Sequence, residues 1–343
     1  MSSWSDGADS LIGFTRNVAT VPTTLWTAVR RPRLRDYDAR GLEKPPSIFL
    51  VHAAMAAVSV LFAINYIISK IGMHVFNPLT FAYLRVLAAA IVLNTVLRER
   101  NATPLEPGDG WRLFGFSILG VVINQTFFLA GLALTTAHAA AILITTIPIF
   151  ALAAGIILGR ESPTVAKIGG IVLSAIGAVM VVGGEGLSGS PRALIGDLMI
   201  VTNSLSYALY LVFSKPAMAR MSARRVIARM FAIASIVMLP IAAWPMLHEP
   251  WRAITMGAWG SLAFVVAGPT VAAYLMNAWA LKYAESSVVA AYTYLQPVFA
   301  VILAAIFLQE QIKPIALLAG AMIVAGVYVS GRPSSRGAAE IAE

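Results

Sequence analysis

The 343-residue sequence contains no cysteine. Disulfides, thiolate metal sites and cysteine nucleophiles are therefore excluded from its chemistry. Charge is scarce as well, because Asp, Glu, Lys and Arg make up 12% of positions, against about 25% in an ordinary soluble domain. Hydrophobic residues fill 59% of the chain and the mean hydropathy is +0.79. That balance excludes a water-soluble globule and points to a membrane protein. Clustered metal ligands are missing too, since His52, His74, His138 and His248 are scattered without the spacing a zinc site needs. No metal and no cofactor is expected.

A spanning helix needs about 20 predominantly apolar residues. Stretches of this kind fall at 47–71, 78–98, 111–133, 136–159, 164–183, 193–216, 226–246, 256–282, 286–308 and 314–331. They lack the period-2 alternation of a membrane barrel, so the expected fold is all-α and integral to the membrane, with ten transmembrane helices. With the N-terminus in the cytoplasm, 20 of the 25 lysines and arginines fall on the cytoplasmic side. The other face receives only Lys70, Arg192, Arg252 and Lys313, and Arg85 lies inside the second span. Both termini are therefore expected in the cytoplasm. This sorting accounts for the net charge of +9 without a nucleic-acid partner.

Residues 1–46 form a basic tail. Its run RRPRLRDYDAR lies too far from the first apolar stretch to be a cleaved secretory or twin-arginine signal. Leu11, Phe14, Val18, Val21, Leu25 and Val29 recur there at helical spacing, although Pro22 interrupts them. An interfacial helix and a loosely ordered tail both fit that pattern.

The sequence repeats itself. A shift of 149 places Leu132 on Leu281, Pro148 on Pro297, Phe150 on Phe299, Glu161 on Glu310 and Gly177 on Gly326. Shifts of 145 and 144 place Ser59 on Ser204, Lys70 on Lys215 and Arg85 on Arg229. The expected organisation is a tail (1–46), a first five-helix repeat (47–183), a linker (184–192), a second repeat (193–331) and a C-terminal cytoplasmic tail (332–343). Five spans is an odd number, so the second repeat is inverted relative to the first, as in many secondary transporters. The glycine-rich run at 183–189 follows a membrane helix rather than a strand and reads as a flexible link, not a nucleotide loop.

Phe62 to Asn65 leading to Lys70, Pro78 to Arg85, Leu134 to Ala137 with Pro148 and Glu161, and Gly169, Gly170 and Gly177 occur in order. Tyr207 to Lys215, Leu281 to Ser286, Pro297 and Glu310 repeat the series. In this the chain resembles the drug/metabolite transporter superfamily in its EamA-like ten-helix form, over about residues 47–331. The resemblance implies a transporter of the plasma (inner) membrane that exports amino acids or related compounds.

Polar groups in a bilayer are costly unless they are paired or face a cavity. Asn65, Asn124, Gln125, Thr145, Tyr207, Tyr210, Tyr274, Asn277, Tyr294 and Gln296 are therefore the candidate substrate-binding residues. The alternative for each is a bond between neighbouring helices, a contribution of roughly 0.6 kcal/mol. Pro148 and Pro297 fall mid-span and free the carbonyls of Ile144 and Thr293. They are the candidate gating residues, with a static kink as the alternative. Arg85 and Arg229 are expected to snorkel or to bond between helices, and Glu161 and Glu310 to form interfacial ion pairs. Small residues at Ala166, Gly170, Ser174 and Ala178, and the Gly155 to Gly159 spacing, suit packing within one chain, giving a monomer or a weak homodimer.

The expected function is transport of small polar metabolites by alternating access. A lining of amides and hydroxyls suits a zwitterion or an uncharged polar solute, while Phe62, Phe128, Tyr207, Tyr274 and Tyr292 keep organic cations open as alternative substrates. No Asp or Glu falls near the middle of a span, which favours a facilitator over a proton-coupled carrier. A membrane-embedded enzyme and a non-transporting receptor are the readings from other classes, and no reactive cluster supports the enzyme.

Overall fold

The computed structural model describes residues 46–97, 105–135, 137–182, 190–308 and 314–330, and among them every regular element is helical. Ten membrane helices follow one another: α1 (Ile48–Met73), α2 (Pro78–Thr95), α3 (Asp109–Leu134), α4 (Ala137–Ile144 and Ile147–Ile157) and α5 (Val165–Val182). After the linker come α6 (Pro191–Arg220), α7 (Ala223–Leu247), α8 (Met256–Ala280), α9 (Ser286–Ala291, Tyr292–Tyr294 and Leu295–Leu308) and α10 (Pro314–Ser330). Six of these, α1, α2, α3, α6, α7 and α8, are long and apolar enough to cross a membrane without interruption. The expectations placed on residues 1–45, on the glycine-rich link at 183–189, on Glu310 and Lys313, and on 332–343 lie outside the described residues.

Polar caps set the helix starts. Asn77, Ser190, Ser222 and Thr255 each accept a bond from a first-turn N–H, and Pro78 and Pro191 stand at first-turn positions where no N–H is required. Ser190 and Pro191 start α6 two residues earlier than the apolar run suggests.

In lipid, helices associate by close contact rather than by excluding water. α5 and α10 show this most clearly. A Cβ on Gly170 would stand 2.5 Å from the Gly326 carbonyl oxygen, and one on Gly177 would stand 2.7 Å from that of Ala319. Ser174 Oγ donates to the Ile323 carbonyl across the same contact, at 3.2 Å. Gly170, Ser174 and Ala178 of the small-residue stripe therefore pack within the chain, as expected, while Ala166 is exposed. The Gly155 to Gly159 spacing does something else: Gly155 leaves room for the Glu161 side chain, whose Cγ would lie 3.0 Å from an added Cβ. Gly159 turns the chain at φ +63°.

Two features depart from the sequence reading. α3 and α8 each widen into a π-helical segment at mid-length, Ile118–Ile123 and Val266–Ala272. Pro148 and Pro297 do not kink continuous helices. α4 stops at Ile144 and restarts at Ile147, and α9 passes through the 3-10 turn Tyr292–Tyr294 before restarting at Leu295. Each proline thus sits in the first turn of a restarted helix, where its missing N–H costs nothing.

Candidate functional site

Mid-span residues from seven helices line a partly open cavity of about 60 Å³, room for a few water molecules at about 10–15 Å³ each. α1 contributes Phe62, Asn65 and Tyr66, α2 Arg85, and α3 Asn124, Gln125 and Phe128. Ile144 and Ile147 come from the break in α4, Asn203 and Tyr207 from α6, Tyr274 from α8, and Thr293 and Gln296 from α9. The wall therefore draws on both halves of the sequence.

A hydrogen-bonded chain crosses this wall. Asn124 Nδ2 donates to Asn203 Oδ1 at 2.6 Å, and Gln125 Nε2 donates to Tyr274 Oη at 2.9 Å. The Tyr274 hydroxyl lies 2.8 Å from the Gly120 carbonyl and 2.9 Å from Asn124 Oδ1. Gly120 belongs to the π-helical segment of α3, and its missing Cβ makes room for the Tyr210 ring. Tyr66 donates to Gln296 Oε1 at 3.1 Å, and Asn277 Nδ2 donates to Tyr207 Oη at 2.7 Å.

Of the ten candidate substrate-binding residues, Asn65, Asn124, Gln125, Tyr207, Tyr274 and Gln296 line the cavity. Asn277 stands behind Tyr207 as its donor. Tyr210 is buried beside Tyr207, with ring centroids 5.6 Å apart. Thr145 is buried in the α4 turn. Tyr294 packs in a separate cluster with Ile171, Ala178 and Ile323, and its hydroxyl has no hydrogen-bond partner among the described residues. Pro148 and Pro297 are not themselves lining residues, but Ile144 and Thr293, the residues four positions before them, are.

Arg85 does not snorkel but shows the other arrangement expected of it, a bond between helices. It is 1% exposed and lines the cavity, and its Nε and Nη2 donate to Thr270 Oγ1 on α8 at 3.1 and 2.8 Å. Its Nη1 has no hydrogen-bond partner among the described residues. Arg229, its counterpart by repeat position, is exposed. Burial of Arg85 was visible in the sequence as a charge inside an apolar run; the direction in which it faces was not.

Charged groups gather where α4 ends and α9 begins. Glu161 accepts from the Ser287 amide at 3.1 Å and from the Ser287 hydroxyl, and it lies 3.9 Å from Lys167. Lys167 also pairs with Glu285, and Arg160 donates to the Val212 carbonyl at 2.5 Å. The ion pairing expected of Glu161 is present, and it ties α4, α5 and α9 together. At the start of α3, Arg220 bridges Asp109 and Glu106 in a second such cluster. A larger recess of about 450 Å³ lies between the α1–α2 and α7–α8 connections, where Glu249 accepts from the Asn77 amide at 3.0 Å. No group of three or more metal-ligating side chains occurs among the described residues.

Comparison with known proteins gives this geometry its family. An uncharacterized transporter of Archaeoglobus fulgidus is 28% identical over 283 residues, spanning 81% of this chain and 96% of the relative. The uncharacterized transporter YetK of Bacillus subtilis is 24% identical over the same length, spanning 81% and 86%. The uncharacterized inner membrane transporter YedA of Escherichia coli K12 is 29% identical over 162 residues, 47% of this chain and 51% of its own. A crystal structure with 17% identity superposes with a TM-score of 0.68 over 86% of this chain and 98% of that one, a likeness of fold alone. The sequence pattern of the EamA-like transporter family matches residues 49–183 and again 194–332. The chain therefore belongs to the EamA-like transporter family and is a membrane transporter rather than an enzyme.

Proposed function

We propose that the protein is a secondary transporter of small polar metabolites, amino acids or related compounds, working by alternating access around the central cavity. Residues 47–183 and 193–331 are the two inverted repeats, joined by 184–192, with 1–46 and 332–343 as cytoplasmic tails at the plasma (inner) membrane. The unit is a monomer or a weak homodimer. One observation carries the reading: residues one repeat apart touch each other, once at the central cavity and once in the α5–α10 contact. Gln125 bonds Tyr274 and Ser174 bonds Ile323, each pair separated by 149 positions. Contacts between equivalent residues arise beside a two-fold pseudo-axis, and a binding site on such an axis can be opened from either side at similar cost.

Counterflow into proteoliposomes tests this, with labelled amino acids, sugars, phosphates and organic cations, in the wild type and in Tyr274→Phe. The expected result is saturable flux of the amino-acid pool, reduced in the variant, which lacks the hydroxyl tying α8 to α3. Absence of flux for every solute returns the protein to the receptor reading. Because no Asp or Glu lines the cavity, an imposed proton gradient is expected to leave the final level of accumulation unchanged. Gradient-driven uphill accumulation overturns the facilitator reading.

A further inference from the structure

We propose that Arg85 is the anion-binding residue of the central cavity and that the solute it receives carries a single carboxylate, held at Nη1. This rests on the cavity's being the substrate site and names the chemistry of that substrate. A guanidinium keeps its proton at any physiological pH. In the membrane interior such a charge is expensive without a counter-charge. Yet Arg85 is 1% exposed, forms no ion pair with a described residue, and lines a cavity without a carboxylate. The missing negative charge is therefore supplied by what enters the cavity.

The surroundings hold the guanidinium in a fixed pose rather than neutralise it. Pro269 has no N–H to offer the Val265 carbonyl four residues earlier. Within the π-helical segment the Thr270 hydroxyl also donates to the Val265 oxygen, at 2.7 Å. With its hydrogen so committed, Thr270 Oγ1 presents lone pairs to Arg85 and accepts from both Nε and Nη2. One edge of the fork is occupied, and Nη1 remains as the unpaired donor.

The rest of the wall fits the other end of a zwitterion. Ile144 and Thr293 line the same cavity, and Pro148 and Pro297 bring no N–H to their carbonyls. A carbonyl oxygen relieved of a helical N–H in this way has lone pairs with which to accept from an ammonium group. A phosphate dianion asks for a second cation, and the cavity has only Arg85 among its lining residues. An organic cation would meet a like charge, which removes the main support for that alternative.

The test measures counterflow of a labelled mixture of the twenty common amino acids in the full-length protein. Competitors are the corresponding amides, the deaminated acids and inorganic phosphate. The wild type is expected to be inhibited by the acids at least tenfold more strongly than by the amides. Arg85→Gln is expected to raise the half-saturating concentration at least tenfold and to abolish the preference for acids over amides. Equal inhibition by amides and acids, stronger inhibition by phosphate, or a preference that survives in Arg85→Gln overturns the proposal.

A second measurement decides the matter even if the wild type moves no solute, the outcome that sinks the transport reading itself. Thermal unfolding of the ligand-free protein in detergent is compared for the wild type and Arg85→Gln. A residue kept for a ligand is a burden to the empty protein, so the variant is expected to unfold at the same or a higher temperature. A fall of several degrees marks Arg85 as structural and refutes the anion site.

Discussion

At the scale of single residues, Thr270 decides whether Arg85 is a precise donor or a loose charge. Thr270→Val keeps the volume but removes the oxygen that accepts from Nε and Nη2 and the hydroxyl bond to the Val265 carbonyl. The variant is expected to bind the amino-acid pool several-fold more weakly in counterflow while still reaching the membrane, and Thr270→Ser is expected to restore binding. If Val and Ser behave alike, the hydroxyl has no part in orienting Arg85. The sequence shows which residues are polar inside apolar runs, so Asn124, Gln125 and Tyr274 were legible as candidates. It does not show phase. Tyr294 has the same chemistry and the same repeat position logic as Tyr274, yet α9 turns it into the α5–α10 cluster and away from the cavity. Helical rotation about an axis is set by neighbours distant in sequence, and the π-helical segments of α3 and α8 shift it further.

At the scale of elements, the contact between α5 and α10 depends on backbone meeting backbone. Gly326 has the Ser174 Oγ at 2.3 Å from any added Cβ and the Gly170 carbonyl at 2.5 Å. Gly326→Val is expected to push the helices apart and to cost at least the 1–3 kcal/mol typical of overpacking, about the scale of a clear drop in thermal unfolding temperature. Gly169→Val, one position along α5, meets nothing within 4 Å and is expected to leave stability within about 0.5 kcal/mol of the wild type. Similar losses in both variants contradict the packing described here. This contact was legible, because small residues four apart on an apolar helix have few other uses. The interruptions of α4 and α9 were legible only in part: the prolines mark the place, but the Thr145–Thr146 turn and the Tyr292–Tyr294 turn come from how the helices restart around the cavity.

At the scale of the whole molecule, ten helices and two matched halves followed from hydropathy and internal repetition, since both are linear properties of the chain. Side-chain closure between halves was not legible, because it joins residues such as Glu161 and Ser287 that no spacing rule links. Pairs one repeat apart have a property that other contacts lack. If the two halves exchange conformations as access alternates, residue i takes the place of its equivalent and the equivalent takes the place of residue i. Their separation must then be the same before and after, as points beside an axle keep their distance while the wheel turns. The Ser174–Ile323 pair is such a point, and Glu161–Ser287 is a spoke. The chain has no native cysteine to remove, so spin labels on cysteines introduced at 174 and 323, and at 161 and 287, can read both distances directly. The first is expected to stay single-valued when substrate is added and the second to split into two populations. A first pair that moves as far as the second would mean that the halves do not turn about an axis through the α5–α10 contact at all.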